Sequence, residues 1–358
     1  MYQRNSRRCC AMMLLMSICL RLCMLLGLDA RAAAYLVDTA ESPDFARFLL
    51  YLETGQVTQA EPLEPETQLV VLQIQQPREQ PVEQVEMEIL QPVLPKLPAA
   101  PAPAEEIPVA GGCTYAYNKA ALLSRPTQMD LSADGPTVLI VHTHGSEAYT
   151  QESGWEYDAL IDYRTLDADR SVIAVGDALA QTLEHYGIGV LHDRTLNDYP
   201  SYNDSYWTAL EKTEDWLAQY PSIQMVIDIH RDAVEDSGGQ ALALSSRQNG
   251  QQAAQLMLVV GTDQGGLSHP NWEENLANAL KLQSVLEGLY PGLCRKIDLR
   301  TERFNQHTAP GSLLVEVGTN GNTLRQALFS AQLLGEGIAA LFHLLEETPQ
   351  IWADNVSP

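Results

Sequence analysis

The segment TVLIVHTHGSE (residues 137–147) joins an apolar run to a cluster of side chains that can bind metals. The run TVLIV has the length and composition of a β-strand that is buried on both faces, as in a parallel sheet. His142, His144 and Glu147 lie at or just beyond its carboxyl end. In open α/β sheets, binding sites form outside the carboxyl ends of the strands. The segment therefore predicts a central strand and one wall of a site.

The chain after residue 112 alternates strand-like apolar runs with segments of helical periodicity. The further predicted strands are IGVLHD, IQMVIDIHRD, AAQLMLVVGT and SLLVEVGT. The predicted helices are RSVIAVGDALAQTLEHYG, SYWTALEKTEDWLAQYP, NWEENLANALKLQSVLEGLYPG and NTLRQALFSAQLLGEGIAALFHLLEE. This alternation indicates an α/β fold in which a mostly parallel sheet is covered by helices on both faces.

The composition divides the chain into four parts. They are a signal or membrane anchor (1–34), a short helical element (35–55), a Pro/Glu-rich linker (56–111) and the α/β domain (112–350). A tract rich in proline and charge cannot maintain a helix or a central strand, so we predict that the linker is an extended spacer.

The first 34 residues have the character of a secretory segment. Arg4, Arg7 and Arg8 precede an apolar stretch, and small residues follow it. Cleavage at residues 30–34 and retention as an anchor are both compatible with this pattern, although Arg21 interrupts the stretch. We favour retention, which places the rest of the chain at the outer face of the cytoplasmic membrane.

The net charge of the chain restricts the kinds of molecule that it can bind. The chain has 22 Lys and Arg against 46 Asp and Glu, a formal net charge of −24. Binding to nucleic acid requires basic surfaces, so nucleic acid is excluded as a partner, and an anionic lipid surface is disfavoured for the folded part. A neutral or cationic substrate, or a carbohydrate polymer, fits this charge better.

The cysteines exclude one kind of metal site. Four of the six lie in the first 34 residues, which leaves Cys113 and Cys294. The sequence has no CxxC pair, so it contains no thiolate zinc motif. We expect Cys113 and Cys294 to be ordinary thiols.

Polar residues at three predicted strand ends form a candidate zinc site. His144 and Glu147, with His230 from a distant strand, supply the three ligands typical of catalytic zinc. Glu316, in an apolar strand, is the candidate proton acceptor, because a buried carboxylate without a partner is costly and a site is therefore favoured there. Two further residues have candidate supporting roles: Asp228 orients the imidazole of His230, and Arg231 either stabilises an oxyanion or holds a substrate carboxylate.

Several of these assignments have alternatives. Either His142 or His144 can be the ligand from the first strand; we favour His144 because it lies past the apolar run. Glu147 can instead begin a helix. His192, also at a strand end, either lines the substrate groove or is a packed structural histidine. Three further histidines, His185, His269 and His343, are expected at the surface or in packing roles.

Longer motifs resemble those of the stage II sporulation protein P family of endospore-forming bacteria. They are VLIVHTHGSEAYT, DIHRDA, FNQHTAPGSLLVEVGTNGNT and RQALFSAQLLGEGIAALF, and the resemblance covers roughly residues 115–346. It implies a zinc-dependent peptidoglycan hydrolase, an N-acetylmuramoyl-L-alanine amidase with endopeptidase activity as well, that acts during engulfment. The implied partners are stage II sporulation proteins D and M.

When the family's motifs are matched to this sequence, the resemblance implies that His144, Glu147 and His230 bind the metal. It also implies that Glu316 is the catalytic carboxylate. Phe304 stands where the family more usually has Tyr, directly before Asn305, which is therefore expected at the substrate groove.

Two other functions fit the same residues. A zinc carboxypeptidase or other peptidase uses the same order of HxxE, distant His and later Glu, and would shorten stem peptides without detaching them. A catalytically inactive wall-binding protein is the non-enzymatic alternative, and the complete set of ligands together with Glu316 disfavours it.

Overall fold

The computed structural model describes residues 95–354. The predicted anchor (1–34), the helical element (35–55) and residues 56–94 of the predicted linker lie outside the described residues.

The centre of the fold is a seven-stranded sheet. Its strands, in spatial order, are β1 (Val109–Ala110), β10 (Ile297–Leu299), β9 (Leu256–Val260), β11 (Leu313–Thr319), β6 (Met225–Asp232), β2 (Val138–Val141) and β5 (Val190–His192). Every neighbouring pair is parallel except β9 and β11. The predicted mostly parallel α/β sheet is therefore confirmed.

The direction of the strands reverses at β9. The connection from β6 to β9 contains an antiparallel hairpin, β7 (Ser245–Gln248) and β8 (Gln251–Ala254), instead of a helix. Parallel neighbours require a long crossover, usually helical, whereas antiparallel strands do not. A second hairpin, β3 (Ala159–Ile161) and β4 (Arg164–Thr165), lies apart from the main sheet.

Six α-helices lie within the described residues. They are α1 (Lys119–Ser124), α2 (Val172–His185), α3 (Ser205–Gln219), α4 (Trp272–Leu289), α5 (Leu324–Glu347) and α6 (Ile351–Asp354). Short 3-10 turns occur at Ala104–Glu106, Ala168–Arg170 and Gln306–Thr308. The four long helices are those that the sequence predicts.

The two faces of the sheet are covered unequally. Helices α2, α4 and α5 bury alternate side chains of one face, such as Val138, Ile227 and Val315, in the main core. On the opposite face, α3 covers only a small apolar cluster that includes Leu139 and Val226. The remainder of that face, over β9, β10 and β11, is open and lines a pocket.

Helix α5 is long and apolar enough, by length and composition, to cross a membrane. However, 72% of its apolar window is buried within the protein, against α2, α4 and the sheet. It begins with a capping box between Thr323 and Gln326, which satisfies backbone groups at its first turn. Helix α5 is therefore a core helix of the domain.

The folded domain begins before residue 112, so the predicted boundary of the linker is wrong at its carboxyl end. Residues 95–111 include β1, which pairs with β10, and Ile107, whose side chain is fully buried. The Ala102 amide donates a hydrogen bond to the Ser284 carbonyl of α4. The prolines here are compatible with this role because the segment is extended and lies at an edge of the sheet. At the other end, Trp352 is buried and extends the domain beyond 350.

Candidate active site

The register of the sheet brings three predicted site strands together. Strands β2, β6 and β11 are adjacent and parallel, so their carboxyl ends lie at one edge. Glu316 on β11 is the direct partner of His230 on β6. Asp228 and His230 are two residues apart and therefore point to the same face. That face is the open one.

A cavity of about 590 Å³ lies on this open face. Its wall contains His144, Glu147, His230 and Glu316, and also Arg231. The structure thus brings together all the side chains predicted as metal ligands and as catalytic groups.

His230 lies between two carboxylates. Its Nδ1 is 3.4 Å from Oε2 of Glu147, and its Nε2 is 3.1 Å from Oδ1 of Asp228. Asp228 is fixed in turn by the Thr143 amide and hydroxyl, which donate hydrogen bonds of 2.8 and 2.6 Å. Burial opposes protonation of His230, but Asp228 and Glu147 outweigh it and hold the pKa of the imidazole well above its usual value.

Glu147 is a buried carboxylate surrounded by donors. The backbone amide of Arg231 donates to its Oε2 at 3.1 Å, and the guanidinium of Arg164 lies 3.4 Å from its Oε1. Burial alone would raise the pKa of Glu147, but His230 and Arg231 lower it to about 2. The carboxylate is therefore ionised, as a metal ligand must be.

His144 packs among aromatic rings at the rim of the cavity. Its ring stacks on Tyr202 at 4.6 Å between centroids and meets the ring of His230 edge-on at 5.3 Å. Burial, followed by the charge of His230, lowers the pKa of His144 to about 4, so the imidazole is neutral. Its Nδ1 is buried and has no hydrogen-bond partner among the described residues.

Glu316 lies in the middle of β11. Its Oε2 is buried and has no hydrogen-bond partner in the described part of the chain. Burial raises the pKa of Glu316 to about 8; His230 opposes the shift and Glu147 adds to it. A carboxyl group with this environment is typical of a functional site.

Arg231 connects two segments that border the site. Its Nε and one terminal nitrogen donate to the backbone carbonyls of Ala148 and Tyr163, each at 3.0 Å. The guanidinium therefore joins the turn that carries Glu147 to the β3–β4 hairpin. The predicted oxyanion role of Arg231 stays a prediction.

His142 and His192 do not lie in the cavity. His142 points to the opposite face of the sheet, where its Nε2 is 2.7 Å from Nε2 of His192 and its Nδ1 is 3.2 Å from the Ile229 carbonyl. His192 also contacts Asp177 at 3.0 Å. Because successive strand residues alternate between faces, His142 shares the side of Ile140 and the main core. The structure therefore separates both histidines from the groove in which His192 was expected.

Asn305 lies beside the cavity and not in it. Its side-chain amide donates to the Tyr206 carbonyl at 2.7 Å and so ties the loop before β11 to α3. It borders a smaller neighbouring cavity of about 310 Å³, which shares Tyr206 and Phe304 with the main one. Its predicted contact with substrate stays a prediction.

The donor set suits a zinc ion, although its atoms are not arranged around one point. Among residues 95–354, no group of three His, Cys, Asp or Glu side chains has the geometry to hold an ion. Two imidazoles and one carboxylate are nevertheless the donor types of catalytic zinc sites. The buried Nδ1 of His144 without a partner, and the 3.4 Å between His230 Nδ1 and Glu147 Oε2, are compatible with shared ligation.

Sequence reasoning missed a set of supporting residues. Arg164 contacts Asp198 at 2.7 Å and lies 4.8 Å over the ring of Tyr202, the ring that stacks on His144. These residues come from segments between the predicted helices and strands, where no periodicity indicates which side chains face the site.

Comparisons with known proteins give one family. The family model described as stage II sporulation protein P matches residues 53–339. The stage II sporulation protein P of Bacillus subtilis (strain 168) is 28% identical over 222 residues, which are 59% of this chain and 52% of that protein. The match therefore spans about half the length of this curated relative.

Two solved structures are similar at low identity. One is the CwlD amidase of Clostridioides difficile, solved in complex with the GerS lipoprotein; it is 13% identical, with a TM-score of 0.36, over 59% of this chain and 98% of that one. The other is the apo form of Ami1, the N-acetylmuramyl-L-alanine amidase of Mycobacterium abscessus; it is 15% identical, with a TM-score of 0.35, over 58% and 99%.

Proposed function

Because the chain belongs to the stage II sporulation protein P family, we propose that it is a zinc-dependent peptidoglycan hydrolase of sporulation, cleaving the amide bond between muramic acid and the stem peptide. Cleavage of cross-links by the same site is part of the proposal. The acidic chain and the open cavity are compatible with a glycan–peptide polymer.

One observation carries this proposal: Glu316 lines the cavity directly beside His230, and its carboxyl Oε2 is buried without a hydrogen-bond partner among the described residues. A purely structural carboxyl group at this position would be hydrogen-bonded, because an unpaired buried polar group costs free energy. A general base, by contrast, must keep an oxygen available for the proton that it takes.

His144, Glu147 and His230 would hold the zinc ion, and Asp228 would fix the ring of His230 from its other nitrogen. Zinc at these ligands would polarise the substrate carbonyl and lower the pKa of water. Positive charge beside Glu316 also lowers the pKa of its carboxyl group from about 8, which makes the carboxylate form available at neutral pH.

Glu316 then has two tasks. Its Oε2 accepts a proton from the attacking water, and the same oxygen returns a proton to the amine that leaves. Glu147 stays ionised throughout, because the Arg231 amide and the Arg164 guanidinium neutralise it. The hydrogen bonds from Thr143 keep Asp228 in place beside His230 during these transfers.

Product masses test which bond is cleaved. Purified peptidoglycan is incubated with the full chain and zinc, and the released fragments are identified by mass spectrometry. The proposal predicts free intact stem peptides and denuded glycan. Shortened stems that remain attached to glycan would instead establish the carboxypeptidase alternative, and binding to the wall without any product would establish the non-enzymatic one.

The site of action and the partners are part of the proposal. An anchor in residues 1–34 would hold the domain at the outer face of the cytoplasmic membrane, and stage II sporulation proteins D and M would work beside it. Co-purification of the full chain with each protein from sporulating cells tests this; loss of the association on deletion of 1–34 would place the contact at the membrane.

A further inference from the structure

The cavity continues sideways from Glu316 across the uncovered part of the sheet. Glu316 on β11 pairs with Met257 on β9. Val259 pairs with Asp298 on β10, whereas Leu256 bridges Cys294, so the β10 side has one extra residue and Met257 lies level with Arg295 and Lys296. Ile297 is buried in the main core, so Lys296 and Asp298 on either side of it face the cavity. His230, Glu316, Met257 and Lys296 therefore form one row across four strands, and all of them line the cavity.

Lys296 differs from the arginines that line the cavity in having no ion-pair partner among the described residues. Arg295 pairs with Asp232 at 2.7 Å, and Arg300 with Asp298 and Glu302 at 3.4 and 3.3 Å. Arg164 and Arg231 face Asp198 and Glu147. No carboxylate among the described residues lies within salt-bridge distance of Lys296, which is exposed.

The spacing of the strands sets the distance from Glu316 to Lys296, and an ion pair bounds the groove on one side. Neighbouring strands are about 4.8 Å apart, so the backbones of β11 and β10 are about 10 Å apart. An extended chain advances about 3.3 Å per residue, so this distance takes about three residues. The Asp232–Arg295 pair joins β6 to the segment before β10 and so bounds the groove at its upper edge.

We propose that Lys296 is a specificity-determining residue that binds a free carboxylate on the third residue of the stem peptide. The peptide lies across the strands, with the cleaved bond at Glu316 and the residues beyond it over Met257. An unpaired ammonium in a chain of net charge −24 is complementary to an anion, and a charge-assisted hydrogen bond fixes the register of the peptide. This inference rests on the proposed function, because it takes the stem peptide as the substrate.

Equilibrium binding of two soluble probes tests the inference. The probes are muramyl tripeptides whose third residue carries free or amidated carboxylates, and their binding to the zinc-loaded full chain carrying Glu316→Gln, which leaves the muramyl–peptide bond intact, is measured by calorimetry. We expect the free form to bind about tenfold more tightly, and we expect Lys296→Met to reduce this ratio to about one. Lys296→Arg should retain a preference, and Lys212→Met, at an exposed lysine of α3 outside the cavity, should retain all of it.

Three results overturn the inference: equal binding of the two probes when Lys296 is present, a preference that survives in Lys296→Met, or failure of both probes to bind. Turnover is measured separately: a probe preference that depends on Lys296, without any hydrolysis of peptidoglycan, would leave the carboxylate site intact and contradict the proposed activity alone.

Discussion

At Glu316, burial of the carboxyl oxygen conflicts with its negative charge. Its neighbours in the row are His230 and Met257, and one of its oxygens has no hydrogen-bond partner among the described residues. Burying an ionised carboxylate without compensation is expensive, so the group responds by a raised pKa. Glu316 therefore lowers the stability of the metal-free protein at neutral pH.

This cost has a definite pH dependence. With the pKa of Glu316 raised to about 8 in the folded state, the unfolded chain binds fewer protons than the folded one between about pH 4.5 and 8. The stabilising contribution is complete below that range and is lost as pH rises through the folded pKa. In the presence of a chelator, the free energy of unfolding should fall less steeply with pH in Glu316→Gln than in the unaltered chain.

Denaturant unfolding from pH 4.5 to 9 measures this difference, and taking the variant relative to the unaltered chain removes the contributions of other groups. Parallel stability curves for the two proteins would show that Glu316 ionises normally.

Asp228 is proposed to act through His230. It lies 3.1 Å from His230 Nε2, the nitrogen away from Glu147. Asp228→Asn keeps an oxygen for the Thr143 amide but removes the charge that orients the imidazole. We expect zinc affinity to fall about 10- to 100-fold, as measured by competition with a chelating dye. Asp298→Asn, a carboxylate of the same cavity on β10, is the matched control. An unchanged zinc affinity in Asp228→Asn would remove Asp228 from the site.

The residues that follow strand β2 place one histidine on each face of the sheet. Beyond the end of β2, His144 reaches the cavity, whereas His142 turns inward and meets His192 under Gly176 of α2. A Cβ at Gly176 would lie 2.5 Å from His192 Nε2 and 2.7 Å from His142 Nε2. This glycine permits the close approach of the helix to the two rings.

Gly176→Ala should therefore destabilise the domain. Alanine favours a helix by about 1 kcal/mol over glycine, but overpacking against the two imidazoles costs about 1–3 kcal/mol. Thermal unfolding should show a lower Tm for Gly176→Ala and little change for Gly112→Ala, where a Cβ meets nothing within 4 Å. A higher Tm for Gly176→Ala would mean that the helix and the rings are not in close contact.

At the scale of the whole molecule, the site exists because one face of the sheet is incompletely covered. Helix α3 packs over the β2 side only, and β9, β10 and β11 expose Met257, Asp298 and Glu316 to the cavity. The opposite face, buried by α2, α4 and α5, provides the rigid support. The proposed metal ligands, which lie in or directly after strands β2 and β6, therefore border the same open face as the groove.

Residues 95–111 are part of the folded domain. A chain that begins at residue 112 lacks β1 and the buried Ile107, and so exposes the edge of β10. We expect a fragment of residues 112–358 to have a lower Tm than one of 95–358, because loss of a buried side chain of this size costs about 2–5 kcal/mol. Equal Tm values for the two fragments would place residues 95–111 outside the folded domain.

The sequence predicts the buried elements well and the connections poorly. Strand TVLIV and helix α5 carry strong apolar periodicity, so both were predictable, as was the grouping of His144, His230 and Glu316 at neighbouring strands. The reversed direction of β9 was not, because strand direction depends on long-range pairing, and β10 was not predicted as a strand because its three residues carry no periodic signal. The face on which His192 lies depends on register with β2, and Arg164 lies in a hairpin without a periodic signal.

The most direct test compares the full chain with its Glu316→Gln variant for zinc content and for release of stem peptides from purified peptidoglycan. The account predicts one zinc ion per chain in both proteins, free stem peptides from the unaltered chain, and a rate at least 100-fold lower in the variant. Absence of bound zinc from both proteins, or equal release of peptides by the two, would contradict the assignment of this cavity as a zinc site with Glu316 as its base.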